Sequence, residues 1–207
     1  MIAVSAAAQF HIEPIAGYQL DMNNKEHKFS MINSAIQLCW KASQHYEFIL
    51  QFQKSWPVTK TLSDSSFTLN PALPVYTNAI KKIDPSSWSL AIGHRFIVTS
   101  PKSNNILSIL LYTGFANQKI AVAYQYDKNN YTILNPDQTQ QRSGVFISGG
   151  IEYMRQLKTG RLFLQATIGT MPSGGKIPPY SSFDFITPLS FNVGYSVPVK
   201  KNKHEKK

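Results

Sequence analysis

The chain has 207 residues and a formal net charge of +10, yet charged residues make up only 15% of it, against about a quarter in typical soluble domains. No stretch approaches 18 uninterrupted apolar residues, so a transmembrane helix is not expected, and the single cysteine, Cys39, excludes an internal disulfide. Residues 200–207 hold +4 of the net charge, with five lysines and one glutamate, and no nucleic-acid-binding motif occurs elsewhere. We therefore expect no nucleic-acid partner.

The two ends of the chain are predicted to lie outside the folded domain. Ala6 and Ala8 form an Ala-x-Ala cleavage site, so residues 1–8 are interpreted as the remnant of a signal peptide, with Gln9 as the first mature residue. A small-residue tail without a targeting role is the alternative. Residues 200–207 are predicted to be a disordered basic tail, which leaves residues 9–199 for a single domain.

Alternation of apolar and polar residues dominates that domain. A period of two residues indicates β-strands, whose successive side chains lie on opposite faces. The predicted strands, in chain order, are Phe10–Leu20, Phe29–Lys41, His45–Trp56, Trp88–Thr99, the stretch 105–127, and three runs between Ser143 and Val199. Each has one apolar face and one small or polar face, as in the wall of a barrel between lipid and a polar lumen.

The connections between these strands are predicted to alternate in length. Residues 57–87 contain four prolines and look irregular, with short strand extensions only at Phe67–Leu69 and Val75–Tyr76. The other long loops are 21–28, 128–142 and 171–187, and the short turns are 42–44, 100–104 and 155–159. Long loops at one end and short turns at the other are typical of outer-membrane barrels.

The number of strands depends on residues 105–127, where the apolar parity reverses near Ala116 and Asn117. A β-bulge within one long strand explains the reversal and gives eight strands. A hairpin turn there adds a strand, and a tenth must then come from residues 67–76. We predict an all-β, antiparallel, up-and-down transmembrane β-barrel of eight strands, with ten as the alternative.

The polar parity is predicted to line the lumen. The candidate luminal network comprises Glu13, Gln37, Lys41, Glu47, Gln51, Arg95, Glu152 and Gln165. An eight-stranded barrel is filled by side chains, and buried charges must be paired, so we expect Arg95 within ion-pair distance of at least one of the glutamates. A gated pore or a ligand cradle is the alternative. On the opposite parity, Leu50, Leu164 and Val193 are expected to face lipid.

Two groups of aromatic residues have predicted roles. The first lies near strand ends, where aromatic girdles mark the bilayer interfaces: Tyr18, Trp40, Tyr46, Trp56, Trp88, Tyr126, Tyr153 and Tyr195. The second lies in the predicted loops and supplies candidate partner-binding residues: Tyr131, Tyr180, Phe183 and Phe185.

The sequence gives no sign of catalytic chemistry. No G-x-S-x-G, Walker A or G-x-G-x-x-G motif occurs, and the five histidines have no metal-ligand spacing with one another or with Cys39. We expect no enzymatic activity, no metal and no cofactor.

The pattern over residues 10–199 resembles the small outer-membrane β-barrel proteins of Gram-negative bacteria, the OmpA-domain and OmpX-like group, and especially the generic outer-membrane barrels of Bacteroidota. The Ala-Gln mature start and the closing strand Ser190–Val199 are similar to that group. Members often end on an aromatic residue that the insertion machinery reads, whereas this chain continues through Pro198 into lysines.

The resemblance implies a place in the cell outer membrane, with the lipid bilayer as the first partner. The expected role is structural or adhesive, or that of a component of a larger envelope assembly that presents long extracellular loops. The chain is expected to be a monomer or a subunit of such a complex, in contact with other outer-membrane or periplasmic proteins. The alternatives are a soluble lipocalin-like ligand-binding barrel and a narrow porin.

Overall fold

The computed structural model describes residues 9–21, 30–100, 103–133, 138–170 and 188–199. The predicted signal remnant, the lysine tail and the whole of the predicted loop 171–187 lie outside the described residues. These ranges form ten strands: β1 Gln9–Asp21, β2 Ser30–Lys41, β3 Tyr46–Val58, β4 Lys60–Thr68, β5 Tyr76–Ile97, β6 Asn105–Gln125, β7 Tyr131–Thr132, β8 Gln138–Gln156, β9 Arg161–Thr170 and β10 Pro188–Pro198. They contain no helix of the length and hydrophobicity needed to cross a membrane.

Eight of the strands form a closed antiparallel ring. Neighbours around the ring follow the order β3, β2, β1, β10, β9, β8, β6 and β5, and pairing of β3 with β5 closes it. Consecutive ring strands are adjacent throughout, so the barrel is of the up-and-down type. The eight-stranded prediction is confirmed, and β4 and β7 add to the sheet without entering the ring.

The bulge predicted near Ala116 does not occur. β6 keeps one register along its whole pairing with β5, from Ile97↔Ser108 to Ile80↔Gln125, and one register with β8. Ile120 therefore has the same orientation as Leu110 and Tyr112, and all three are buried. The reversal of the sequence pattern reflects a change in the surroundings of the strand, since the backbone alternation continues unbroken.

That change of surroundings also explains why residues 57–87 are not an irregular loop, as the sequence suggested. β4 continues the direction of β3 and pairs with the first half of β5, from Lys60↔Ile83 to Phe67↔Tyr76. Four residues of the β3–β4 side, Trp56–Thr59, face three of β5, Asp84–Ser86, so a bulge lies at this junction. Pro85 lies in that interval, where β5 does not pair with β3 or β4. The missing backbone N–H of proline therefore removes no hydrogen bond on this side.

The two ends of the barrel differ in the lengths of the segments that separate consecutive strands. The strand ends that flank residues 42–45, 98–104 and 157–160 lie at the end of the barrel that also holds Gln9 and Val199, here called the turn end. The other strand ends lie at the opposite end, here called the loop end: Asp21 and Ser30, Thr68 and Tyr76, Gln125 and Gln138, and Thr170 and Pro188. Because the chain crosses the barrel an even number of times, the start of β1 and the end of β10 both lie at the turn end.

The outward face of the ring is apolar. From Trp88 on β5 to Val98 just after it, the outward residues include Leu90, Ile92 and Phe96, all exposed on the barrel surface. At a rise of about 3.3 Å per residue and a tilt of about 40°, this interval spans about 25 Å, which is the height of the apolar band of outer-membrane barrels. Leu50, Leu164 and Val193 also lie on this face, as predicted. A lipocalin-like barrel requires the opposite arrangement, with the apolar parity inside.

Aromatic side chains border the apolar band. The predicted girdle residues Tyr18, Trp56 and Trp88 are exposed near the loop end, and Trp40 and Tyr153 near the turn end. Tyr46 and Tyr195 are half-buried at the turn end, whereas Tyr126 follows β6 beyond the band.

Beyond the band the sheet continues as a projection. This protruding sheet consists of β4, β7, residues 76–87 of β5, 116–125 of β6 and 138–146 of β8. Its length along β5 is about 36 Å at the usual strand rise. On its inward face Ile83 and Ile120 are buried, with Leu62 and Val122 packed against them, while Lys82 and Lys119 on the outward face are exposed. Water replaces lipid outside, so the apolar residues move to the inside.

Candidate functional site in the barrel lumen

The luminal charges meet near the turn end. Glu13 on β1, Glu47 on β3, Arg95 on β5 and Glu152 on β8 each lie within a few residues of a turn or of the first strand's start, on the inward parity. Because adjacent strands run antiparallel and all four positions are near the same end, the ring brings them to one level. All four side chains are fully buried.

Arg95 binds all three carboxylates. Its Nη2 lies 2.7 Å from Oε2 of Glu13, its Nη1 2.6 Å from Oε2 of Glu47, and its Nε 2.7 Å from Oε1 of Glu152. Nη2 also donates to Oε2 of Glu152 at 2.9 Å. The planar guanidinium presents several donors in fixed directions, which suits this multiple contact. We call these four residues the Arg95 cluster.

Two further contacts extend the cluster. Arg161, at the start of β9, places Nη1 3.3 Å from Oε1 of Glu47 and is slightly exposed. Gln165 donates from Nε2 to Oε2 of Glu152 at 2.7 Å. Each carboxylate therefore has at least one strong partner, as burial of charge in a low-dielectric interior requires. The cluster fills the lumen at the turn end.

A ladder of amide side chains lies between the cluster and the loop end. Gln37 donates to Oε1 of Gln51 at 2.6 Å and to the hydroxyl of Tyr112 at 3.0 Å. Gln51 donates to Gln53 at 2.9 Å, and Gln53 donates to Gln19 at 3.3 Å. Side chains of β1, β2, β3 and β6 are thus connected across the lumen.

A glycine makes space for the aromatic member of this ladder. Gly93 faces inward on β5, and a Cβ atom there would lie 2.4 Å from a ring carbon of Tyr112. Any larger residue would displace the ring and with it the hydrogen bond to Gln37. Gly149 differs, because it faces outward and its added Cβ would have only ordinary contacts, the nearest at 3.6 Å.

A cavity of about 70 Å³ lies on the loop-end side of the ladder. Its walls include Gln19, Gln53 and Asn192, serine and threonine residues of β5, β8, β9 and β10, and the ring of Phe146. None of the described residues that line it is charged. The lumen is thus divided along its axis into an ionic half and a neutral half.

The predicted luminal residues fall into two groups. Glu13, Glu47, Arg95, Glu152 and Gln165 are in mutual contact, and Gln37 and Gln51 belong to the amide ladder. Lys41 is half-buried at the end of β2, opposite Glu47 in the strand register.

The predicted partner-binding aromatics fare differently. Tyr131 is buried in β7, which pairs with β4, so its proposed exposure on a loop is wrong. β7 has only two residues, and a strand of that length has no pattern in sequence from which it can be predicted. Tyr180, Phe183 and Phe185 lie outside the described residues.

Several luminal residues were not among the sequence candidates. Arg161 and His11 share the inward parity with Gln165 and Glu13, so strict use of alternation would have included them. Tyr112 and Gln53 complete the amide ladder, but an apolar ring in an inward position resembles ordinary barrel filling. The described residues contain no group of three or more His, Cys, Asp or Glu side chains arranged to hold a metal ion.

Comparisons with known proteins identify similar structures. No protein-family model matches the chain, and no curated protein matches its sequence. The attachment invasion locus protein Ail of Yersinia pestis, solved with the heparin analogue sucrose octasulfate, is similar in structure with a TM-score of 0.51 at 10% identity, over 93% of this chain and 99% of that one. A major outer membrane protein from Thermus thermophilus gives a TM-score of 0.52 at 11% identity, over 93% of this chain and 100% of that one.

Similarities at such low sequence identity establish the fold, but they do not transfer the role of either protein to this chain. The ring of eight antiparallel strands, the outward apolar band and these two similarities agree with one another. The chain therefore has the fold of the small outer-membrane β-barrel proteins.

Proposed function

We propose that this chain is an integral outer-membrane barrel that acts as an adhesin, without enzymatic activity, through the tip of its protruding sheet. The apolar band between two aromatic borders supports insertion in a bilayer. The similarity to proteins of bacterial outer membranes supports the choice of membrane. In this orientation the loop end faces outward from the cell.

The observation that carries the adhesive role is the exposed apolar tip of the β4–β5 hairpin. Leu69, Val75 and Tyr76 are each about 60% exposed there, far beyond the apolar band. Large apolar side chains that protrude together into water are typical of surfaces that bind a partner. If the hairpin served only to close the end of the barrel, we would expect polar residues at its tip, because the tip lies in water.

The tip is also held in a defined shape. The backbone N–H of Leu69 donates to the carbonyl of Asn130 at 2.7 Å, and that of Thr68 donates to the carbonyl of Val75 at 3.0 Å. The rings of Phe67 and Tyr76 are in edge contact, with centroids 5.2 Å apart. A preformed surface loses less conformational entropy on binding. The buried Ile83 and Ile120 beneath it keep the projection folded.

The Arg95 cluster weighs against the narrow porin as the principal role. It fills the turn end of the lumen with fully buried side chains tied to four strands. An ion that crossed this level would have to separate contacts of 2.6–2.7 Å.

Adhesion of cells that display the chain tests the proposal. We expect these cells to adhere to at least one of three surfaces: epithelial cell monolayers, extracellular-matrix protein coats or sulfated-glycan coats. The glycan coat is included because Ail was solved with a heparin analogue. Replacement of Leu69, Val75 and Tyr76 by serine should reduce adhesion about tenfold or more, as expected when central contacts worth at least about 1.4 kcal/mol are lost.

The matched control changes three exposed residues on the wall of the same sheet, as Thr61→Ser, Lys82→Ser and Ala123→Ser. These substitutions should leave adhesion unchanged at equal amounts of heat-modifiable barrel in the outer membrane. Equal adhesion by the tip variant and by the unmodified chain would contradict the adhesive tip.

A further inference from the structure

The neutral cavity in the loop-end half of the lumen has the properties of a binding site. We propose that it binds one edge of an uncharged sugar unit or a small polyol that enters from the loop end. The proposal is independent of the adhesive tip, because the tip and the cavity share no residue.

The size of the cavity sets the size of the ligand. One buried water requires about 10–15 Å³ of cavity volume, so 70 Å³ accommodates about five water-sized groups. A small polyol fits this space entirely, whereas a pyranose ring fits with one edge and its hydroxyls inside. A larger saccharide would have to place its remaining units beyond the cavity, toward the loop end.

The amide ladder supplies hydrogen-bonding groups in fixed positions. Each amide has two N–H donors and an oxygen with two lone pairs, and Gln19, Gln51 and Gln53 use only part of that capacity on one another. Asn192 also lines the cavity, and its Oδ1, which is buried against Gly17, has no hydrogen-bond partner among the described residues. Vicinal hydroxyls of a sugar, each both donor and acceptor, match a surface of this kind.

Two rings complete the match. Phe146 and Tyr112 both line the cavity, and Tyr112 is held by the hydrogen bond to Gln37. Sugar rings carry apolar C–H groups beside their hydroxyls, so they pack on aromatic side chains while they bond to amides. Gly93 ensures that the ring of Tyr112 occupies its position.

The lack of charge in the lining selects against ionic ligands. The buried carboxylates of Glu13, Glu47 and Glu152 are engaged with Arg95, and Gln165, which lines the cavity, donates to Glu152. An anion would lose its hydration without gaining a cationic partner, which is costly in a confined site. A neutral polyhydroxyl compound exchanges its bonds to water for bonds to amides and hydroxyls.

Saturation-transfer NMR on the barrel in phospholipid nanodiscs, prepared without sugar-based detergents, tests the site. The probes are glucose, galactose, N-acetylglucosamine and glycerol, with glucuronate as the anion and choline as the cation. We expect transfer to at least one neutral compound and none to glucuronate or choline. Absence of transfer to every neutral probe, or transfer to choline alone, would overturn the proposal.

Paired variants locate the binding. Ser89→Phe fills the cavity from β5 and should abolish the transfer, whereas Leu90→Phe, one residue away on the lipid face, should retain it. Asn192→Ala removes the side-chain amide from the cavity wall and should weaken binding, and Val193→Ala is its outward control. Far-UV circular dichroism and heat modifiability confirm that each variant forms the barrel. Undiminished transfer in a folded Ser89→Phe or Asn192→Ala protein would show that the sugar binds elsewhere.

Discussion

Arg95 is the residue on which the turn-end half of the lumen depends. It contacts Glu13, Glu47 and Glu152 at 2.6–2.7 Å, and all four side chains are fully buried. Arg95→Leu leaves carboxylates buried without their main partner, and we expect a loss of about 3–5 kcal/mol in the free energy of unfolding. Urea unfolding of the barrel in lipid vesicles, followed by tryptophan fluorescence, measures this loss.

The companion variants separate the loss of an ion pair from the loss of packing. Arg155 is exposed at the end of β8, so Arg155→Leu should change stability by less than about 0.5 kcal/mol. Addition of Glu13→Gln and Glu152→Gln to Arg95→Leu removes the stranded charges and leaves the pair Glu47–Arg161 in place. This triple variant should recover stability relative to Arg95→Leu alone. If it is less stable still, charge compensation is not what Arg95 provides.

The luminal site shows how far single residues can be predicted from alternation. Parity alone selects Glu13, Glu47, Arg95 and Glu152 as inward-facing, but it does not say at which height each lies along the barrel axis. That height depends on strand register and tilt, which fix all four at the turn end. The position of Tyr112 depends on Gly93 across the strand pair, a relation that becomes visible only when the register is known.

At the scale of the element, β6 keeps one alternation of inward and outward side chains while it passes from the apolar band into the protruding sheet. Leu111 faces outward in the middle of the apolar band, and Ala123 has the same parity but lies on the protruding sheet. Leu111→Arg should destabilise the inserted barrel by about 2–4 kcal/mol, as a charge at the bilayer midplane does. Ala123→Arg should cost less than about 0.5 kcal/mol, because its side chain is in water.

Unfolding of both variants in vesicles, under the same urea protocol, gives the comparison. Ile120→Arg provides the opposite parity at nearly the same height as Ala123, and burial of the charge against Ile83 should make it costly. Equal losses for Ala123→Arg and Leu111→Arg would mean that the bilayer extends over the protruding sheet.

The same two environments explain which elements can be predicted from sequence. Strands within the bilayer have an apolar face and a polar face. Most of their predicted first and last residues agree with the structure to within a few positions. Residues 60–87 lie largely in water, where Ser63, Asp64 and Ser65 face solvent and the pattern of a lipid-facing strand is absent. Four prolines added to the impression of a loop, although Pro57 and Pro85 lie within β3 and β5. The alternation that persists through β6 is a property of the backbone and survives the change of solvent.

At the scale of the whole molecule, the lumen has an ionic half at the turn end and a neutral half toward the loop end. This division predicts a barrel that is closed at the turn end and that binds a ligand from the loop end. The charges, the amide ladder and the cavity follow one another along a single axis. A ligand that enters the cavity therefore stays on one side of the membrane. The adhesive tip and the cavity both face the loop end, so the outward-facing end carries both proposed contacts.

Cys39 is a natural probe of this closure, since it is the only cysteine of the chain. It faces the lumen with no exposed surface, and Nη1 of Arg95 lies 3.6 Å from its Sγ. A water-soluble methanethiosulfonate reagent should not modify Cys39 in the folded barrel in vesicles, because the Arg95 cluster blocks access, and should modify it completely in urea. Cys39→Ser with Ser43→Cys moves the thiol to the exposed turn after β2, where the folded protein should react at once. Rapid modification of Cys39 in the folded wild-type barrel would mean that the lumen opens through the cluster, and the narrow porin would then become the better account of the molecule.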